Sequence, residues 1–152
     1  MRRARPSGPL RHPQVVVDAS VWASIIMQQD TNHTDSLSWW QKYVGSGGLI
    51  LATEILLVEV SAAVGRRTQQ PQLATQAVQF LQQAMGLQLV PVDTKLILDA
   101  ADLAGRLRIR GADAFYVATA HQKAIPLVSW DNDQLNRATV LTHAMVPNLF
   151  RF

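Results

Sequence analysis

Along this chain, short continuous apolar runs alternate with longer stretches in which apolar residues recur at every third or fourth position. Val15–Val17 is a run of β-branched residues, as expected of a strand buried on both faces. Helical spacing follows from Ser20 to about Gln28. A second helix, which Asn32 or Thr34 can cap, carries Leu37, Trp40 and Val44 on one side and ends at Gly45-Ser46-Gly47-Gly48. Leu49–Leu51 reads as a second strand. Thr53 can cap a third helix running to about Arg67, with Glu54 near its positive end. Pro71 opens a fourth helix that runs to Met85 and is stopped by Gly86. Leu87–Val92 is a third strand, Thr94–Leu107 a fifth helix, and Asp113 opens a sixth that reaches about Lys123. Leu127–Ser129 is a fourth strand, Gln134–Arg137 a short helix, and Val140–Thr142 a last strand.

Short apolar strands alternating with helices predict an α/β sandwich around a mainly parallel sheet. Sites in such sheets lie beyond the carboxyl ends of the strands. Asp18 and Asp131 fall at such ends. There is no internal repeat or low-complexity tract.

With 152 residues and 48% apolar composition, the chain can bury one core, and residues 15–152 are expected to form one domain. No cysteine is present, so neither disulfides nor thiolate metal sites are available. The net charge of +3 is unevenly spread. Arg2, Arg3, Arg5 and Arg11 lie in the first twelve residues; the remainder carries 10 bases and 11 acids. With Pro6, Gly8, Pro9 and Pro13, residues 1–14 are expected to be a basic, extended or disordered leader. The apolar stretch from Val15 to Met27 superficially resembles a secretory signal, but Asp18 inside it opposes insertion by roughly 2.5–3.5 kcal/mol. No uninterrupted apolar run long enough to span a bilayer follows, so the reading is a soluble, cytoplasmic protein without a membrane anchor.

Four acids carry the candidate chemistry. Asp18 directly follows a strand, where it could also simply cap the next helix. Glu59 has Ile55, Leu56, Ala62 and Ala63 as its helical neighbours, so its carboxylate lies along an apolar stripe. It therefore needs a partner there, either a metal or an arginine such as Arg66 or Arg67. Asp113 opens a helix, and Tyr116 three residues on cannot complete a capping box. Asp131 sits in Ser129-Trp130-Asp131-Asn132-Asp133, where the alternative to a ligand is a plain turn former. Ser129 could hydrogen-bond Asp131, and Asp133 is either a further ligand or solvated. Carboxylates gathered in one cleft raise each other's pKa, so cations or protons must neutralise them, and a hard divalent cation suits oxygen donors.

Other constellations are weaker. His12, His33, His121 and His143 lack zinc-ligand spacing. The glycine-rich stretch precedes a strand, whereas a phosphate loop opens a helix. Trp22, Trp39, Trp40 and Trp130 could stack on bases, but core or dimer-interface packing is the stronger reading for most of them.

Taken together and in order, Val15-Val16-Val17-Asp18-Ala19-Ser20, the helix around Glu59, Arg110-Gly111-Ala112-Asp113-Ala114-Phe115-Tyr116 and Val128-Ser129-Trp130-Asp131 resemble the PIN-domain ribonucleases. The resemblance is especially to the small VapC-type toxins of toxin–antitoxin pairs, and it spans about Val15 to Arg137. It implies a Rossmann-like α/β/α sandwich, an acidic Mg²⁺ or Mn²⁺ site, endonucleolytic RNA cleavage, homodimerisation and a cognate antitoxin across the cleft. Asp18, Glu59, Asp113 and Asp131 match the family's acidic quartet, Ser129 its strand-end hydroxyl, and Asp133 a further acid. Trp130 is a bulky departure that could alter substrate access.

On this reading metal-activated water cleaves the phosphodiester. Arg66, Arg67, Arg106, Arg108 and Arg110 are candidates for holding the RNA backbone, on charge and sequence proximity alone. The alternatives are a structure-specific or repair-type DNA nuclease using the same acids and a non-catalytic interaction module that keeps the fold. A phosphohydrolase is disfavoured, because Asp18-Ala19-Ser20 lacks the second acid that an aspartyl-phosphate mechanism uses.

Overall fold

The computed structural model describes residues 13–152. The leader reading falls on residues 1–14, all but the last two of which lie outside the described residues. Five strands form one sheet: β1 (Gln14–Val17), β2 (Leu49–Thr53), β3 (Leu87–Val90), β4 (Leu127–Val128) and β5 (Ala144–Met145). Their spatial order is β3-β2-β1-β4-β5, and every pairing is parallel. The helices between them are α1 (Ala19–Ile26), α2 (His33–Gly45), α3 (Ile55–Thr68), α4 (Pro71–Gln83), α5 (Thr94–Leu107), α6 (Gly111–Lys123) and α7 (Asn132–Ala138).

This order follows from the sequence. Central strands must be apolar on both faces, and Val15–Val17, Ile50–Ala52 and Leu127–Val128 are all buried. The edge strands β3 and β5 are only half-buried for the most part. Right-handed crossovers put α1 to α4 on one face and α5 to α7 on the other. The packing follows that division: α1 lies on α2 and α3, α3 on α4, α5 on α6, and α6 over β1, β2 and β4. Trp22, Tyr43 and Tyr116 are the largest fully buried side chains. Among the described residues no helix is long and apolar enough to cross a membrane.

Several expectations need correction. Thr53 does not cap a helix; it is the last residue of β2, paired with Val90, and its buried hydroxyl has no partner. Asp113 does not open α6, which starts at Gly111 with Arg110 in the cap position. The last strand is Ala144–Met145 rather than Val140–Thr142, and Val140 is exposed in the turn after α7.

The turn into β3 depends on Gly86, whose φ is +76° and whose added Cβ would lie 2.6 Å from Val44 Cγ2. Its carbonyl also accepts the Ile50 N–H at 2.7 Å, which starts the β2–β3 pairing. Gly86→Ala is expected to cost about 1–3 kcal/mol, read by urea denaturation, because both backbone strain and overpacking oppose it.

Candidate active site

The chain runs outward from β1 to β3, returns, and places β4 on the other side of β1. At such a switch point the loops after two adjacent strands diverge and leave a crevice at the carboxyl ends. Here the loops begin with Asp18 and Ser129, and the Asp18 N–H donates to Val128 O at 3.2 Å. The crevice has a volume of about 190 Å³ and is lined by Asp18, Ser20, Glu59, Arg110, Asp113 and Asp131, with Ala19 and Ala112. The four acids expected from the sequence therefore share one cleft, although they come from four different elements.

Asp18 is the most enclosed of them, at 3% exposure. Its Oδ1 accepts from the Ser20 hydroxyl at 2.6 Å and from the Ser20 and Val21 N–H groups at 3.1 and 3.4 Å. Its Oδ2 accepts from the Ser129 hydroxyl at 2.6 Å. Each hydroxyl in turn accepts a backbone N–H beyond β4: Trp130 N–H to Ser20 Oγ and Asp131 N–H to Ser129 Oγ, both at 2.9 Å. Capping and site roles thus coexist in one carboxyl group. Burial still pushes that carboxyl up from 3.8 to about 7, against the lowering effect of the Ser129 and Ser20 hydroxyls.

Glu59 sits on α3 facing α6. Neither Arg66 nor Arg67 pairs with it; the buried Tyr116 hydroxyl donates to Oε2 instead. Burial raises the Glu59 carboxyl, and the Tyr116 hydroxyl opposes that rise. Tyr116 itself is pushed well above its usual range, first by burial and then by the Glu59 charge. Asp113, in the first turn of α6, is also raised by burial, with Arg110 pulling the other way. Asp131 caps α7, its Oδ1 accepting from Gln134 N–H at 3.0 Å. The buried Gln134 side chain donates to Asp113 O at 3.2 Å and ties the start of α7 to α6.

The expected arginines separate. Arg110 reaches the cleft, donating to Asp113 Oδ2 at 2.9 Å and to Asp131 Oδ2. Arg67 pairs with Asp30, Arg106 pairs with Asp102 on its own helix, and Arg66 and Arg108 are exposed away from the cleft lining. Asp133 is outside the lining as well, largely exposed and paired with Arg137 at 2.8 Å. Trp130 does not stand over the cleft: its indole N–H donates to Ser36 Oγ at 2.7 Å, which turns the ring into α2. Trp22 and Trp39 are buried and Trp40 donates to Met85 O, so packing accounts for all four tryptophans.

Sequence reasoning missed two contributors to the site, Ser20 and Tyr116. Ser20 follows Asp18 at the spacing of a capping turn, which is the one local signal that could have found it. Tyr116 has none, because its partner is 57 residues away.

Enclosed oxygen donors with raised pKa values fit a hard divalent cation, which would stabilise their charged forms. Among the described residues no three acidic or histidine side chains are gathered tightly enough to grip one ion as they stand. Glu59 is turned to Tyr116, and Asp113 and Asp131 to Arg110, so ion binding requires these side chains to reorient.

Comparison with known proteins agrees with this fold. The sequence model of the PIN domain family matches residues 15–140. No curated protein sequence matches significantly. Among solved structures, Mycobacterium tuberculosis VapC20, described as a sarcin–ricin loop cleaving toxin, superposes with a TM-score of 0.68 at 20% identity, covering 79% of this chain and 92% of its own. FitAcB from Neisseria gonorrhoeae gives 0.65 at 16% identity, covering 90% of this chain and 99% of its own. VapBC2 from Rickettsia felis, bound to a promoter DNA fragment, gives 0.63 at 14% identity, covering 87% and 98%.

Proposed function

The chain belongs to the PIN domain family, whose members are nucleases, and on that premise we propose that it is a divalent-metal-dependent endoribonuclease, the toxin of a toxin–antitoxin pair. The observation that carries this reading is the convergence of Asp18, Glu59, Asp113 and Asp131 on one small cleft at the switch point of the sheet. Those four would hold Mg²⁺ or Mn²⁺. The ion, when bound, supplies Lewis acidity to a water and to a phosphate oxygen. Ser20 and Ser129 fix both oxygens of Asp18, so its orientation is set before anything binds. Tyr116 holds Glu59 toward α6, an arrangement that ion binding would have to change.

Hydrolysis by water breaks the P–O3′ bond and leaves a 3′-hydroxyl and a 5′-phosphate, without using the ribose 2′-hydroxyl. The expected result is cleavage of structured RNA with Mg²⁺ or Mn²⁺, its complete loss in EDTA, and products that a 5′-phosphate-dependent exonuclease degrades. Activity that persists in EDTA, or 2′,3′-cyclic phosphate ends, would overturn the assignment. Equal cutting of single-stranded DNA in parallel reactions would point to the DNA-nuclease reading. Absence of any cleavage alongside intact metal binding would point to an interaction module.

The toxin role is supported by the VapC20, FitAcB and VapBC2 neighbours. On that role the protein would act in the cytoplasm, on RNA. A cognate antitoxin has an apolar trough of about 780 Å³ available, with Ile26, Met27, Leu37, Trp40 and Phe80 among its lining. Co-purification with the product of the neighbouring reading frame tests that partner. Homodimerisation belongs to the same reading. Val58 on α3 and Ile97 and Leu98 on α5 are exposed apolar side chains, and Glu54 ties the starts of these two helices by accepting the Val92 N–H. Light scattering tests it.

A further inference from the structure

Arg110 is a poor choice for its local position. It occupies the cap of α6 without any capping hydrogen bond, where Ser, Thr, Asp or Asn would satisfy a free N–H. A cation there also opposes the positive end of the helix dipole. The backbone on either side is tightly specified. Arg108 leaves α5 in the left-handed region at φ 55°, Ile109 is buried at 7% exposure, and Gly111 begins α6. What the arginine does is reach into the acidic cleft, where one guanidinium joins Asp113 Oδ2 to Asp131 Oδ2.

The geometry points to Arg110 as a built-in counter-cation that occupies the Asp113–Asp131 edge of the cleft and competes with the divalent ion for the same two carboxylate oxygens. The inference rests on the metal-site reading above. Asp131 Oδ1 caps α7 and Oδ2 accepts from Arg110, so an ion on Oδ2 would meet the guanidinium charge at the same atom and either displace it or bind beside it against that repulsion. Displacement is the easier route. The Arg110 side chain is 75% exposed, while its partners are 14% and 20% exposed, so the cation sits at the mouth and the acids lie inside. Withdrawing an exposed guanidinium into solvent costs little desolvation. The Asp18–Ser20–Ser129 edge has its own hydrogen bonds, none of them to Arg110, and these do not depend on the guanidinium.

The test is Mn²⁺ affinity, read by electron paramagnetic resonance or calorimetry on the full chain after metal is stripped with chelator. Removing a guanidinium that competes through two partly exposed pairs should tighten Mn²⁺ binding on the order of fivefold to tenfold in Arg110→Ala and Arg110→Gln. Arg110→Lys keeps the charge but loses the fork that bridges two carboxylates, so it should fall between these variants and the wild type. Lys95→Ala, which removes an exposed lysine paired with Asp99 on α5, should bind Mn²⁺ as the wild type does. The rise in melting temperature on adding Mn²⁺ should also be larger in Arg110→Ala than in the wild type. Unchanged or weaker Mn²⁺ binding in both neutral variants would overturn the competition while leaving the metal site in place. Failure of the wild type and both variants to bind Mn²⁺ at all would remove the metal site, and the competition with it.

Discussion

Asp18→Asn is expected to lower kcat/KM for RNA cleavage on the order of 10³-fold, about 4 kcal/mol of transition-state stabilisation, without unfolding the protein. The side chains are the same size, and the Asn oxygen can still accept from the Ser20 and Val21 N–H groups that Asp18 caps. What the substitution removes is the charge at the most enclosed point of the cleft, between the ends of β1 and β4. Initial rates on a fluorogenic RNA with Mn²⁺ measure the loss, and Asp102→Asn, an exposed acid paired with Arg106 on α5, serves as the control. A variant at position 18 that kept more than about a tenth of the activity would be inconsistent with a first-ligand role for this carboxylate. In a bacterial host the same substitution should abolish any growth arrest that expression of the wild-type chain causes.

How much of this was readable in advance depended on the range of the interactions. α5 falls at Thr94–Leu107, as expected, because Asp93 caps it and the apolar spacing runs unbroken to its end. The four acids could be collected because each sits at an element end or on an apolar stripe, and the crossover rules then bring the ends of β1 and β4 together. Where a local preference competed with a tertiary one, the local reading failed. Thr53 has cap chemistry, yet the β2–β3 ladder claims it as a strand residue. Val140, Leu141 and Thr142 have strand propensity, but β5 starts only at Ala144, where it pairs with Leu127 and Val128. The arginines show the same limit. Five lay near the acids in sequence, but of these only Arg110 is carried to the cleft, by a turn that the buried Ile109 anchors and that lies beside the Gln134–Asp113 hydrogen bond joining the start of α7 to α6. Glu59 and Tyr116 meet across helices α3 and α6, and nothing local to either residue announces it.

The same Asp18→Asn change is expected to raise stability at alkaline pH by up to about 4 kcal/mol, the opposite sign to its effect on activity. Burial holds the Asp18 carboxyl at about 7 in the folded protein, against its ordinary value of 3.8. Below about pH 4 the group is protonated both folded and unfolded, and it contributes no difference. Between about 4 and 7 the unfolded chain has released its proton and the folded chain has not, so the folded state binds more protons and stability falls as pH rises. Above about pH 7 both forms are ionised and the deficit stays constant. Asn cannot ionise, so it carries no such deficit. The network can also accommodate its amide, since Ser129 Oγ, which now donates to Asp18, can accept from the new N–H while still receiving that of Asp131. In chelator at pH 8 the variant should melt roughly 10 °C above the wild type, with the gap closing as pH approaches 4. Adding Mn²⁺ should close the gap from the other side, because an ion that binds only the folded wild type stabilises it by mass action. Melts of equal midpoint at pH 8 in chelator, or a gap that does not shrink toward pH 4, would show that the Asp18 carboxylate is not held at a cost by its burial. The arrangement would then lose its main physical reason for binding a cation.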